Sequence, residues 1–384
     1  MANRVTTKNK GIVSKLPLTI SAQDGLVSQE EFFNKKVAST DLSSYLLLHL
    51  GDFDYNKSYS SGYPFGTIKR LEKYPQGVVS SLYIAFKPKS RISSNFMAQY
   101  YESSNWHKEI YKCAAEGARN HGLLNVSPTD FFATNLKIPI AKSEQLKIGK
   151  LLKEVDQTIT LHEEKKRQLE RLKSALLQKM FAEKQGYPVV RFKGFCDEWQ
   201  GTKLGKVSKI VRGASPRPIS DPKWFDNDSN VGWLRISDVT SQDGRIHHLE
   251  QHISKQGQAK TRVISEPHLL LSIAATVGKP LINYVKTGVH DGFLIFIEPH
   301  FDLEFMFQWL EMFRPQWSKY GQPGSQINLN SDLVKNQIIY LPSREEQNQI
   351  GIFFNQIDSL INLHQQKINN INSVKKSLLQ KMFI

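Results

Sequence analysis

LLQKMF stands at Leu176–Phe181 and again at Leu378–Phe383, and each copy closes a proline-free run that reads as one long helix. Working outward at a constant offset of 202 positions, Glu144–Phe181 and Glu346–Phe383 agree at about 16 of 38 places, far above chance for unrelated segments. The shared residues include Glu144/Glu346, Gln145/Gln347, Ile148/Ile350, Gly149/Gly351, Asp156/Asp358, Ile159/Ile361, His162/His364 and Lys165/Lys367. A whole helix repeated after some two hundred residues marks a tandem duplication. Duplicated halves tend to be related by an approximate two-fold axis, and duplex DNA is a target with that symmetry.

Composition points the same way. The chain holds 51 Lys+Arg against 36 Asp+Glu, a net charge of +15, and such an excess raises affinity for polyanions through counterion release. It also argues against an inhibitor that mimics DNA. At 384 residues there is room for two or three domains with real cores. Cys113 and Cys196 are the only cysteines, which leaves neither a disulfide framework nor a thiolate zinc site. The first residues, MANRVTTKNKG, lack an apolar signal core, and no stretch approaches about 18 apolar residues. A cytoplasmic protein with no membrane partner is expected.

Four parts follow in order. Residues 1–141 mix short β-like runs (Leu16–Ile20, Val78–Ile84) with Gly/Ser/Asn-rich loops and read as an α/β domain; residues 142–185 read as one helix rich in Lys, Glu, Leu and Gln. Residues 186–342 return to mixed α/β character, with strands expected at Trp233–Ile236, His268–Ile273 and Phe293–Ile297, and residues 343–384 form the second helix. Proline-marked segments, IPIAKSEQ from Ile138 and YLPSREEQ from Tyr340, lead into the helices. Ser143 and Ser343, with acids close behind, suit helix N-caps.

Both helices carry a heptad seam. In the first it runs Ile148, Leu152, Val155, Ile159, His162, Lys166, Leu169, Lys173, Leu176, Met180. In the second it runs Ile350, Phe354, Ile357, Ile361, His364, Ile368, Ile371, Lys375, Leu378, Met382. So narrow a stripe over five heptads fits a two-stranded coiled coil, and pseudo-two-fold symmetry makes it antiparallel. His162 and His364 each lie near mid-helix and are expected to face each other and fix the register. A helix of about 38 residues spans roughly 57 Å, on the order of 17 base pairs at about 3.4 Å each. Two domains on such a strut could read two blocks separated by unread bases; a plain dimerisation element is the alternative.

At this point the motifs resemble a family. The E-Q and I-G pattern at Glu144–Gly149 and Glu346–Gly351, Asp156–Ile159 and Asp358–Ile361, and the LLQKMF endings resemble the conserved regions of type I restriction–modification specificity subunits. GFCDEW at Gly194–Trp199 and KLGKV at Lys203–Val207 are similar to the lead into that family's target-recognition domains. LPLTISAQDGLV (Leu16–Val27), YNKSYSSGYPFGTIKR (Tyr55–Arg70) and AAEGARNHGLLN (Ala114–Asn125) resemble one common recognition-domain type. The resemblance implies an α/β (α+β) fold of two target-recognition domains separated by two long helices in an antiparallel coiled coil. It implies a non-catalytic subunit that binds double-stranded DNA at a bipartite site. Two methylation subunits would dock on it and transfer methyl groups from S-adenosylmethionine to adenine, and restriction subunits using ATP and Mg²⁺ would join. No cofactor is expected on this chain. It carries no Asn-Pro-Pro-aromatic motif and no phosphate loop, since the lone Gly278-Lys279 is followed by Pro280. A free-standing DNA-binding regulator is the alternative. One departure stands out: shifted by the repeat, the segment Tyr187–Leu204 falls largely before Met1, so the first domain is expected to lack that leading element.

Base edges are read by Arg, Lys, Asn and Gln, while Ser, Thr and Lys mostly hold phosphates. In the first domain the candidates are Asn56, Lys57, Ser58 and Tyr59, then Lys69 and Arg70, and a second loop of Arg119, Asn120 and His121. In the second they are Arg212, Ser215, Arg217 and Lys279, with Gln322, Ser325 and Gln326 in the loop GQPGSQ. Arg235 and Lys36 suit structural ion pairs equally well. His247, His248, His252 and His268 beside Asp243 or Glu250 make a poor metal set, because adjacent strand residues face opposite ways.

Overall fold

Two helices of 39 residues each, Lys142–Met180 and Arg344–Met382, organise the chain. The structure is a computed structural model that describes residues 1–58, 62–114, 124–182, 186–265, 267–273, 276–320 and 329–383. Its contacts fall into two compact units, one of residues 1–163 with 366–384 and one of residues 164–365. Every seam position named above is buried or half-buried. The repeat period of the apolar residues therefore dictates which helix face is covered. Ser343 caps the second long helix, accepting from the Glu346 N–H at 3.3 Å. Ser143 does not cap the first, which already begins at Lys142.

In the first unit, a four-stranded antiparallel sheet has the order Ala2–Arg4, Ile84–Pro88, Phe53–Asn56, Thr67–Arg70. Alternation along the strands sends Phe53, Tyr55 and Phe86 into one core with Phe96, Tyr100 and Trp106. Ala85 joins a second core with Leu18, Leu26, Leu46 and Leu48 on the opposite face. The expected strand Val78–Ile84 is in fact the end of one strand (Gln76–Val79) and the start of another (Ile84–Pro88).

In the second unit, a five-stranded sheet has the order Lys209–Arg212, Phe293–Ile297, His268–Ser272, Pro280–Asn283, Arg245–Ile246, with only the last pair parallel. The expected strand at Trp233–Ile236 stops at Trp233, because Arg235 already caps the short helix Ile236–Ser241. Strand Gln200–Lys203 pairs with Ile338–Leu341 just before the second long helix. The corresponding residues 136–139 of the first unit belong to no strand.

The shared motifs form the same joint twice. Gln145 accepts from the Ser93 N–H at 3.0 Å and donates to the Pro139 carbonyl at 2.9 Å. Gln347 accepts from the Asp302 N–H at 2.9 Å and donates to the Pro342 carbonyl at 2.9 Å. One turn on, Gly149 lies against the start of helix Ser94–Glu102, and Gly351 lies against the start of helix Leu303–Phe313. Asp156 accepts from Gln99 at 2.7 Å and pairs with Lys375 at 2.6 Å. Asp358 accepts from Gln308 at 2.8 Å and pairs with Lys173. The LLQKMF ends finish each joint: Phe383 packs against Phe96 and Tyr100 in the first unit, and Phe181 against Phe305, Trp199 and Phe354 in the second. Within each unit the end of one long helix thus runs antiparallel to the beginning of the other.

One member of the joint differs. Glu346 is fully buried and takes both nitrogens of a bidentate Arg191 at 2.7 and 2.8 Å, whereas its repeat mate Glu144 is exposed. Arg191 belongs to the segment that leads into the second unit, between the first long helix and strand Gln200–Lys203.

A glycine inside a helix costs about 1 kcal/mol relative to alanine, so close approach must be the reason for Gly149. A Cβ there would stand 2.6 Å from the Phe96 backbone nitrogen and 2.9 Å from the Asn95 carbonyl carbon. Gly149→Ala is therefore expected to destabilise the first unit by about 1–3 kcal/mol in spite of alanine's helix propensity. Denaturant midpoints measure this, and an unchanged or raised midpoint would show that the helices separate easily.

Candidate nucleic-acid interface

In the first unit, the described candidates serve as braces. Asn56 ends its strand and accepts from the Ser58 N–H at 3.0 Å, an Asx turn that shapes the following loop. Lys57 donates to the Val126 carbonyl at 3.1 Å, and burial pulls its ammonium below the ordinary lysine range. Lys69 pairs with Glu102 at 2.6 Å and is mostly buried. Arg70 is held by Glu72, by Ser94 at 2.9 Å and by Asn95 at 2.8 Å. Lys69 and Arg70 thus tie the sheet edge to helix Ser94–Glu102, and this packing takes the donors that sequence reading offers to DNA. Tyr59, Arg119, Asn120 and His121 lie outside the described residues. Sequence reading passed over an open cleft formed by Phe65, His107 and Tyr111 with Lys108 and Lys112; Phe65 lies 4.8 Å from the His107 ring. A hint was there, in the ring-and-lysine pairs His107-Lys108 and Tyr111-Lys112.

In the second unit, three candidates converge on one acid that sequence reading did not name. Arg217 donates to Asp291 Oδ2 at 2.6 Å and Ser215 donates to Oδ1 at 2.8 Å. Arg212 Nε donates to the Asp291 backbone carbonyl at 2.6 Å. Burial would raise the Asp291 carboxyl, but the Ser215 hydroxyl and the charges of Arg217 and Arg212 hold it below the usual carboxylate range. Asp291 is therefore ionised at neutral pH. The loop carrying the arginines is pinned by strand pairing on one side and side chains on the other. Gly213 N–H bonds the Phe293 carbonyl at 2.9 Å, Ala214 N–H the Val289 carbonyl at 3.0 Å, and the Thr261 hydroxyl the Ala214 carbonyl at 2.6 Å. Arg262 adds a third exposed guanidinium, its Nε on the Arg212 carbonyl at 2.8 Å.

The remaining candidates stand apart from this cluster. Lys279 follows a hairpin tip at the same end of the sheet, since Ser272 pairs with Phe293. Its ammonium turns inward to Asp243 at 4.0 Å, and it is mostly buried. Gln322, Ser325 and Gln326 lie outside the described residues. Arg235 is structural, shared between Asp238 and Glu250 at 2.9 Å each. His162 in the first unit and His364 in the second are each half-buried on the seam. No helix among the described residues is long and apolar enough to cross a membrane.

Comparison with known proteins fits this arrangement. The family model described as the type I restriction modification DNA specificity domain matches residues 32–171 and 196–373. The specificity subunit of the type I restriction enzyme MjaVIII of Methanocaldococcus jannaschii is 24% identical over 323 residues, which is 79% of this chain and 73% of that protein. The putative MjaX specificity subunit of the same organism is 23% identical over 354 residues, 89% of this chain and 80% of that one. Among solved structures, the S subunit of a type I restriction-modification system from M. genitalium aligns at TM-score 0.60 and 12% identity, covering 100% of this chain and 93% of that one. A chain from work on complex assembly and conformational transition of the type I R-M system aligns at TM-score 0.56 and 17% identity, covering 100% and 97%. At these identities the solved structures establish the fold.

Proposed function

We infer that this chain, which belongs to the type I restriction–modification DNA specificity family, reads a two-block DNA sequence, one block with each unit, and leaves the intervening bases unread. The observation that carries this reading is the doubled joint. The same glutamine, glycine and aspartate seat each unit on the long helices, so two different recognition surfaces are presented by one repeated mount. Each helix of 39 residues is about 58 Å long at about 1.5 Å per residue. That length serves as a ruler for the unread spacer. His162 and His364 are assigned to holding the register of the seam.

The chain's role is recognition, not catalysis. Two methylation subunits dock on it and supply methyl transfer from S-adenosylmethionine to adenine in each block; restriction subunits, with ATP and Mg²⁺, act on unmodified DNA in the cytoplasm. A repeated outward stripe supports two copies of one partner: Leu161 and Leu172 are 54% and 50% exposed, and their repeat mates Leu363 and Val374 are 44% and 55% exposed. Eleven residues apart, each pair lies on one helix face. For DNA contact we retain Arg212 and Arg217, with Ser215 bracing Asp291 between them and with Asn56, Lys57 and Ser58 shaping a loop of the first unit. Lys69, Arg70 and Lys279 are left to packing.

Single-molecule sequencing for N6-methyladenine, on DNA from cells expressing this chain with its neighbouring methylation subunit, tests the reading. A two-block motif with a fixed gap, methylated on both strands, is expected. A contiguous motif would overturn the ruler. Specific DNA binding by the chain alone, with no methylation where the complex assembles, would favour a free-standing regulator.

A further inference from the structure

We propose that Asp291 is a positioning residue for base reading by the second unit: it holds Arg217 through its carboxylate and Arg212 through its carbonyl, so that their free edges meet guanine and not phosphate. This rests on the reading that the second unit contacts DNA through this face.

A carboxylate amid exposed arginines, on a chain of net charge +15, invites the view that it is an ordinary surface ion pair contributing about 0–1 kcal/mol. The geometry says more. The acid sits on a turn fixed independently of either arginine. Ser215 Oγ accepts the Asp291 N–H at 3.2 Å while donating to its carboxylate, and His290 Nδ1 accepts the Gly292 N–H at 2.8 Å. The imidazole is itself wedged between Trp233 and Phe293, at 5.9 and 4.7 Å. The facing loop comes so close that a Cβ on Gly213 would stand 2.1 Å from the His290 carbonyl oxygen. The carboxylate is thus placed in advance, and Arg217, 76% exposed, is oriented by it without being buried.

An arginine so held has changed chemistry. One nitrogen of the planar fork is taken by a carboxylate, which makes it a weaker clamp for phosphate. Its remaining N–H donors stay rigidly directed, and a rigid two-donor edge matches the O6 and N7 acceptors of guanine in the major groove. Without the acid Arg217 becomes a mobile cation, which binds any phosphate and reads nothing, while Arg212 keeps its bond to the backbone carbonyl.

The test measures binding of the full-length chain, in complex with its methylation subunits, to duplexes carrying the two-block motif or one-base changes in either block, across a salt series. Asp291→Asn is expected to strengthen binding to unrelated duplex and to steepen the salt slope by about one unit. Discrimination in the second block should fall at least about tenfold, the scale of one lost bidentate contact, with the first block unchanged. Arg217→Ala and Arg217→Lys should both lose second-block discrimination, the lysine keeping the charge but not the fork. Ser215→Ala, which frees one carboxylate oxygen and leaves the turn's charge intact, should move discrimination in the same direction by less, and it carries the test if the Asn variant does not fold. Equal weakening on all duplexes would mark Asp291 as merely structural and overturn the proposal. So would an Asn variant that behaves as the parent while Arg217→Ala loses the second block, which leaves the interface reading standing. An Arg217→Ala variant with both blocks intact would remove this face from DNA reading altogether.

Discussion

Replacing Asp358 by alanine is expected to lower the stability of the second unit by about 3–5 kcal/mol, the range for stripping one partner from a buried charge network. Asp358 is 6% exposed and is the common acceptor for Lys173 from the first long helix, Arg245 at 3.1 Å and Gln308 at 2.8 Å. Burial alone would lower Arg245, but Glu304 and Asp358 hold it charged. Alanine leaves that guanidinium with Glu304 alone and strips Lys173 of its ion-pair partner in the cleft it shares with Glu170 and Glu311. The same substitution at Asp156 has a built-in contrast. Its side chain is 35% exposed and among the described residues it answers to Lys375 and Gln99, so water can replace it and about 1 kcal/mol is expected. Denaturant unfolding, with hydrogen exchange to assign the loss to each unit, measures both. Equal losses at the two positions would mean that the repeat is energetically symmetric and that Arg245 adds nothing.

The helices were legible because a seam is a periodic signal: the positions spaced by three and four from Ile148 to Met180 and from Ile350 to Met382 are all buried or half-buried, lysines included. Lys173 and Lys375 interrupt the apolar run of that seam, and Asp358 and Asp156 stand opposite them. The joint was visible only as repetition. Nothing in the string says that Gly149 yields to the Phe96 backbone, because that contact joins positions far apart in the chain. Strand limits failed where local capping won, as at Arg235, whose bonds to Asp238 start a helix where β-like residues continue. The candidate interface divides in the same way. Residue type alone cannot separate Arg70, bound to Glu72, Ser94 and Asn95, from Arg217, which stands out in solvent. Asp291 was hidden because it is 76 positions from Ser215 and becomes meaningful only when two loops meet.

Raising the pH from 5 to 8 is expected to destabilise the first unit selectively, through Asp54. This residue lies in the central strand Phe53–Asn56, is 0% exposed, and neither carboxylate oxygen has a hydrogen-bond partner among the described residues. Its cross-strand neighbours are Ala85 and Lys69, the latter engaged by Glu102, and burial pushes its pKa well above the ordinary value for an aspartate. Tyr83 sits within its field, its phenol raised by burial and then by Asp54. In the unfolded chain the carboxyl ionises near pH 4, while in the folded unit it stays protonated to much higher pH. The folded state then binds more protons. Stability from this group is fully present below the unfolded pKa and is lost at about 1.4 kcal/mol per pH unit until the folded pKa is reached. Asp54→Asn removes the titration and leaves the shape, so its advantage over the parent should be small at pH 5 and grow by at least about 1 kcal/mol at pH 8. For a unit of this size that is roughly 2–4 °C in melting temperature, and comparing variant with parent cancels the other titrating groups. A gap that stays constant across the range would mean that Asp54 is ionised and solvated in the folded unit. A gap that widens predicts a functional trace as well: at alkaline pH, discrimination in the first block fails before discrimination in the second.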